Sequence, residues 1–178
     1  MKALSEGNGP TRVSLVALYE LGRQPFGVAS PAAWLREAGV EVKTIDLSRE
    51  AFSLEAFDSD FVAFHLPMHT ATRLAVPVIR RVRALVPRAR LCGYGLYAEL
   101  NGSVLRGLGV EHILGGEFEQ ALVELVCGAV GVAAGSSDKG GQPRLRFRVP
   151  DRTGLPALER YASLQMPSGE RRVVGYTE

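Results

Sequence analysis

Short apolar runs alternate along the chain with longer stretches of helical spacing. A near-continuous apolar run from Val13 to Tyr19 stops at Gly22. Valine- and leucine-rich runs of this kind suit strands buried on both faces of a parallel sheet. "QPFGVASPAAWLREAGV" then predicts a helix that starts with Ser30 as cap and Pro31 in its first turn, and ends at Gly39. "VEVKTIDLS" is a second strand, "LEAFDSD" a short connection, and Phe61 to Pro67 a third strand. In "MHTATRLAVPVIRRVRALVP", Leu74, Val78, Val82 and Leu85 recur at helical spacing, which predicts an amphipathic helix with a kink at Pro77. "RLCGYGLYAEL" supplies a fourth strand, and "NGSVLRGLGV" a short helix capped by Asn101 or Ser103. "EHILGG" is a fifth strand and "EFEQALVELVCGAV" a closing helix.

Five short strands alternating with helices predict an α/β fold: a doubly wound, flavodoxin-like, five-stranded parallel sheet, followed by a C-terminal connector tail. The boundaries follow from composition. Residues 1–12 read as a flexible start, 13–130 as the α/β domain, 131–143 as a Gly/Ser-rich linker and 144–178 as the tail. Within the tail, "RLRFRVP" alternates as an edge strand does, "LPALERYASL" suggests a helical turn or two, and "RRVVGYTE" reads as a strand that runs to the last residue.

Composition narrows the function classes. The 178 residues carry 21 basic and 19 acidic side chains, interspersed, so no strong field points to nucleic acid or an anionic membrane. No apolar run reaches membrane-spanning length and the N-terminus lacks a signal-peptide core, so a cytoplasmic location is expected. Cys92 and Cys127 sit in apolar surroundings and read as buried reduced thiols.

In an open parallel sheet, ligands bind beyond the carboxyl ends of the strands. Four loops qualify: Glu20 to Gln24, Pro67 to Thr72, Gly93 to Leu100, and Gly115 to Glu119. "HLPMHTATR" brings His69, Thr70 and Thr72 to the third strand's end, where Thr70 or Thr72 can equally cap the helix; His65 reads as a packing histidine. Gly93 and Gly95 around Tyr94 allow a close backbone approach, though a lone Gly-x-Gly is weak as a dinucleotide signal. Gly115 and Gly116 serve a turn and leave room for a ligand, and Glu117 suits a helix start. No metal site and no catalytic triad emerge, so the chain reads as a binder.

"EHILGGEFEQALVELV", "FHLPMHTATRLAVPVIRRVRALVP" and the Leu155-Pro156, Leu158, Tyr161 element of "PDRTGLPALERYASL" together resemble the N-terminal cobalamin-binding domain of radical S-adenosylmethionine enzymes and its connector. That resemblance implies a module that presents a corrin, or docks substrate, for a radical S-adenosylmethionine barrel. The barrel would be the module's partner and would hold S-adenosylmethionine and an iron-sulfur cluster. On the same basis the chain reads as an N-terminal fragment, stopping before the cluster-binding cysteines.

The cofactor-facing residues implied for cobalamin are Tyr19, Leu66, Met68, His69, Thr70 and Thr72, followed by Gly93, Tyr94, Gly95, Gly115, Gly116 and Glu117. The family's Asp-x-His-x-x-Gly motif is absent, since "DLSREAF" from Asp46 has no histidine. Alternatives are a ligand-free Rossmann-like accessory domain and a free-standing nucleotide or flavin binder. A phosphorylated receiver is disfavoured: Glu20 alone follows the first strand, and His65 and Pro67 stand where a phospho-accepting Asp would.

Overall fold

A computed structural model describes residues 10–128 and 148–173; the linker expected at 131–143 lies outside them. The parallel strands are β1 (Arg12–Ala17), β2 (Glu41–Asp46), β3 (Phe61–His65), β4 (Arg90–Tyr94) and β5 (His112–Leu114), ordered β2-β1-β3-β4-β5. Around them run α1 (Phe26–Glu37), α2 (His69–Leu85), α3 (Leu96–Leu100), α4 (Gly102–Gly107) and α5 (Glu119–Cys127). This is the doubly wound, flavodoxin-like arrangement the apolar runs predict.

Each central strand feeds two cores. In β1, Val13, Leu15 and Ala17 face the layer containing Val28 and Leu35 of α1 and Leu122 of α5. Val16 faces the other, with Ile79 and Val82 of α2 and Leu105 of α4. Burial on both faces is why the runs lack an apolar-polar alternation. Ser14 is the exception, fully buried; its hydroxyl donates to Ala56 O at 2.6 Å and lies 2.8 Å from Ser59 Oγ.

Several sequence expectations change. The first helix starts at Phe26 rather than at Ser30, so Pro31 lies inside it. An interior proline leaves the carbonyl four residues earlier without its helical donor. That carbonyl is Gly27 O, and the buried Tyr94 hydroxyl donates to it at 2.9 Å, which offsets the cost.

In α2 the buried stripe is Ala71, Thr72, Ala75, Ile79 and Val82, while Leu74 and Leu85 are 46% and 47% exposed. Alanines let the helix lie close to the sheet, so the small residues rather than the leucines face inward. The short helix α3 has no counterpart among the sequence expectations, and Asn101 makes no side-chain capping bond: its Nδ2 donates to Tyr97 O at 2.8 Å. Cys127 is exposed, not buried; Cys92 is buried. Desolvation pushes the Cys92 thiol up to about 12.

The C-terminal segment packs on the domain. Arg148 sits over the Trp34 ring at 4.1 Å and pairs with Glu37 at 2.7 Å. Asp151 pairs with Arg36 at 2.7 Å, and the Thr44 hydroxyl donates to Thr153 O at 2.9 Å. Farther along, Gln24 Nε2 donates to Pro156 O, and Ala162 N donates to Gly22 O at 2.8 Å. The buried Tyr161 hydroxyl donates to Asp46 Oδ2 at 2.8 Å. Residues 148–162 thus form a strap from α1 to the carboxyl ends of β1 and β2. Beyond it, β6 (Ser163–Gln165) and β7 (Arg171–Val173) make an antiparallel hairpin, which gives Arg171–Val173 the partner it lacked in sequence.

Candidate functional site

At the carboxyl edge of the sheet lies a cleft of about 370 Å³ between the start of α1 and the start of α5. Phe26, Ser30 and Trp34 line one side from α1, four residues apart and therefore on one helical face. Gly116, Glu117, Phe118 and Glu119 line the other, Glu20 enters from the β1–α1 loop, and His65 sits at the base.

His65 is the last residue of β3 and 6% exposed. Its ring lies on Gly27: a Cβ there would meet ring atoms at 2.0 to 2.5 Å, so only glycine allows this approach. Tyr94 and Phe118 rings stand 5.3 Å and 5.9 Å from it, centroid to centroid. Its Nδ1 is 3.1 Å from Glu20 Oε1, close enough for an ion pair, yet it makes no hydrogen bond because distance and direction do not coincide. On the cleft wall, the Ser30 hydroxyl donates to Glu119 Oε1 at 2.8 Å, tying α1 to the first turn of α5.

Of the residues expected to face a cofactor, Gly116 and Glu117 line the cleft, and Tyr94 supports it from beneath with its hydroxyl on Gly27. Burial pushes the Tyr94 hydroxyl well above its usual range, with Cys92, Glu119 and Glu20 adding to this, so it stays a donor. The remaining residues lie elsewhere. Tyr19 is half-buried beside Leu18, and Leu66 is fully buried in the core. Met68 precedes α2, and Thr72, buried, donates to Met68 O at 3.0 Å. His69 and Thr70 are exposed in the first turn of α2.

Gly93, Gly95 and Gly115 are closed by the protein's own atoms, whereas Gly116 is open. A Cβ on Gly93 would touch Leu105 and Leu66 at 3.3 and 3.4 Å. Gly95, at φ +102°, lies against the Leu66 carbonyl, and Gly115 lies under the Glu99 carboxylate.

Sequence reasoning missed Phe26, Gly27, Ser30 and Trp34 as cleft residues, and it named the loop that holds Phe118 and Glu119 without singling those two out. The signal was present as the Phe26, Ser30, Trp34 spacing, but it shows only once the helix is started before Pro31. A second hollow, about 390 Å³ along the β2 edge, has polar groups already engaged: Arg36 by Asp151 and Thr153, Lys43 by Glu55 O. The cleft at the strand ends is the better candidate.

No family model matches the chain, and no curated protein matches it in sequence. Among solved structures it is similar to a response regulator protein from Burkholderia pseudomallei, recorded with a phosphorylated aspartic acid and a calcium ion. The TM-score is 0.50 at 16% identity, covering 65% of this chain and 66% of that one. A CheY-like receiver domain protein from Methanospirillum hungatei JF-1 gives 0.49 at 15% identity, covering 68% of this chain and 94% of that chain. A response regulator from Burkholderia multivorans gives 0.43 at 20% identity, with coverages of 70% and 99%.

At such identity the likeness establishes the fold. The first of these, the response regulator at a TM-score of 0.50, corrects the resemblance to the cobalamin-binding domain of radical S-adenosylmethionine enzymes. The barrel as partner, the presentation of a corrin and the iron-sulfur association fall with it, and that likeness lends no support to the accessory-domain and flavin-binder alternatives. Cobalamin and S-adenosylmethionine entered through that resemblance alone.

The sequence expectation for a phosphorylated receiver was an aspartate after the third strand with acids gathered after the first, since the acceptor must be a carboxylate and a metal ion needs acidic ligands. Here β3 ends in His65, followed by Leu66, Pro67 and Met68. Among the described residues no group of three or more His, Cys, Asp or Glu is placed to hold a metal ion. Asp46, at the end of β2, is taken up by Tyr161 and by the Ser48 amide and hydroxyl. No helix among the described residues is long and apolar enough to cross a membrane.

Proposed function

We propose that this chain is a regulatory module of receiver fold in which the state of the strand-end cleft is passed to the C-terminal strap without an aspartyl phosphate. The regulatory role is taken from the response regulators that share its fold. Phosphoryl acceptance is not taken over, because the end of β3 offers an imidazole where that chemistry needs a carboxylate.

One observation carries the reading: a single loop serves both places. Between β1 and α1, Glu20 reaches into the cleft beside His65, Gly22 O accepts the Ala162 amide, and Gln24 holds Pro156 O. Leu21 between them takes the left-handed conformation, φ 52°, and Gly22 follows at φ +78°. A non-glycine residue at positive φ costs about 1 kcal/mol or more and persists only where neighbours hold it. Moving Glu20 therefore moves the strap's anchors.

Hydrogen exchange tests this. Glu20→Gln is expected to speed exchange of the Ala162 amide and its neighbours in 155–162 while β1 and β3 stay protected. An unchanged strap in a variant whose cleft has altered would refute the coupling.

A further inference from the structure

We infer that the strand-end cleft binds an organic cation, an alkylguanidinium or alkylammonium group such as an arginine or lysine side chain presents. The inference names the ligand class for the proposed regulatory site and rests on that reading only for its biological use.

The lining is selective in charge. Glu20, Glu117 and Glu119 are its charged side chains, and no lysine or arginine is among the described residues that line it, although the chain as a whole carries a formal charge of +2. Carboxylates concentrated in a walled recess raise the local concentration of cations. Acids alone would equally suit a metal ion, but the other lining groups argue for carbon as well as charge. Phe26, Trp34 and Phe118 are aromatic, and a ring face attracts a guanidinium or ammonium within about 6 Å of its centroid.

Trp34 already shows this chemistry, since the Arg148 guanidinium carbon lies 4.1 Å from its centroid. Independently, the base of the cleft holds a buried polar atom without a hydrogen bond, His65 Nδ1. It stands 3.1 Å from Glu20. A buried group left this way costs free energy that a small rearrangement of Glu20 around a ligand would recover. Glu117, at the rim, is exposed and is free to close on the cation.

Trp34 is the single tryptophan, so its fluorescence reports the cleft directly. The probes are butylguanidinium and butylurea, which share shape and differ in charge. A saturable fluorescence change is expected with butylguanidinium and none with butylurea. Glu117→Gln is expected to weaken binding about fivefold, the scale of one partly exposed charge contact, and raised salt to do the same. Equal responses to the two probes, or an unaltered affinity in Glu117→Gln, would overturn the inference.

Exchange at the Ala162 amide separates the two proposals. Butylguanidinium that binds without changing that exchange overturns the regulatory coupling alone. Absence of binding, with Glu20→Gln still loosening the strap, overturns the cation site alone.

Discussion

Two residues decide the base of the cleft. His65 can lie flat because position 27 has no side chain, and Gly27 O can face inward because Tyr94 supplies the donor that Pro31 lacks. Gly27→Ala is expected to push the imidazole out of its place and to destabilise the fold by about 1–3 kcal/mol, the cost of overpacking a filled interior, read from a denaturant melt.

The cysteines differ by burial alone. An alkylating reagent at pH 8 is expected to label Cys127 in the native protein and to reach Cys92 only in denaturant, counted by intact mass. Because burial raises the Cys92 thiol to about 12, its contribution to stability is complete below the ordinary value of 9.0 and falls as pH rises from there toward 12. Neither environment was legible locally, since "RLCGYG" and "ELVCGAV" look equally apolar; Cys127 ends α5 on its outer side, which only the packing decides.

Among the elements, the strap is the one whose contacts the sequence did not announce. The hydroxyl of Tyr161 is its deepest polar anchor, raised above its usual range by burial and by its bond to Asp46. Tyr161→Phe removes a bond to a charged acceptor, about 1–3 kcal/mol. Faster proteolysis and exchange confined to 155–162 are the expected result, with the five-stranded sheet unaffected.

At the other end of the strap, burial pushes the Asp151 carboxyl up, but Thr153 and the Arg36 guanidinium outweigh it and hold the group below its ordinary 3.8. A depressed carboxyl stabilises above its unfolded value and loses that contribution as pH falls through the folded one. The strap's hold on α1 should accordingly weaken below pH 3.8, visible as increased exchange near 151–155 in acid. "LPALERY" read as one or two helical turns and forms a single short turn at Leu158–Arg160, with Leu155 before it packed on the α1–α5 core and the Tyr161 hydroxyl after it bonded to Asp46. In α2 the sequence reading gave weight to Leu74 and Leu85, where contact distance to the sheet favours alanine.

For the whole molecule, incubation with acetyl phosphate and magnesium is expected to add no phosphoryl group, checked by intact mass under conditions where a phosphorylatable receiver is modified. A stoichiometric, acid-labile adduct would show that some other carboxylate accepts phosphate and would remove the proposed mode of control.

The doubly wound parallel sheet of five strands and its two-faced core were determined by sequence alone. Five apolar runs joined by helix-length stretches leave few ways to bury both faces of every strand, and right-handed crossovers select among them. The loops that could carry a ligand were legible for the same reason, since topology puts them at one edge of the sheet. What fills that edge was decided only in three dimensions. Whether a glycine makes room for a ligand or for its neighbour depends on residues far away in sequence: His65 on Gly27, Glu99 on Gly115, and Leu66 beside Gly93 and Gly95. The cleft is likewise a long-range product, in which Glu20, Trp34, His65 and Glu117 become neighbours when β1, β3, α1 and α5 are packed on a common sheet.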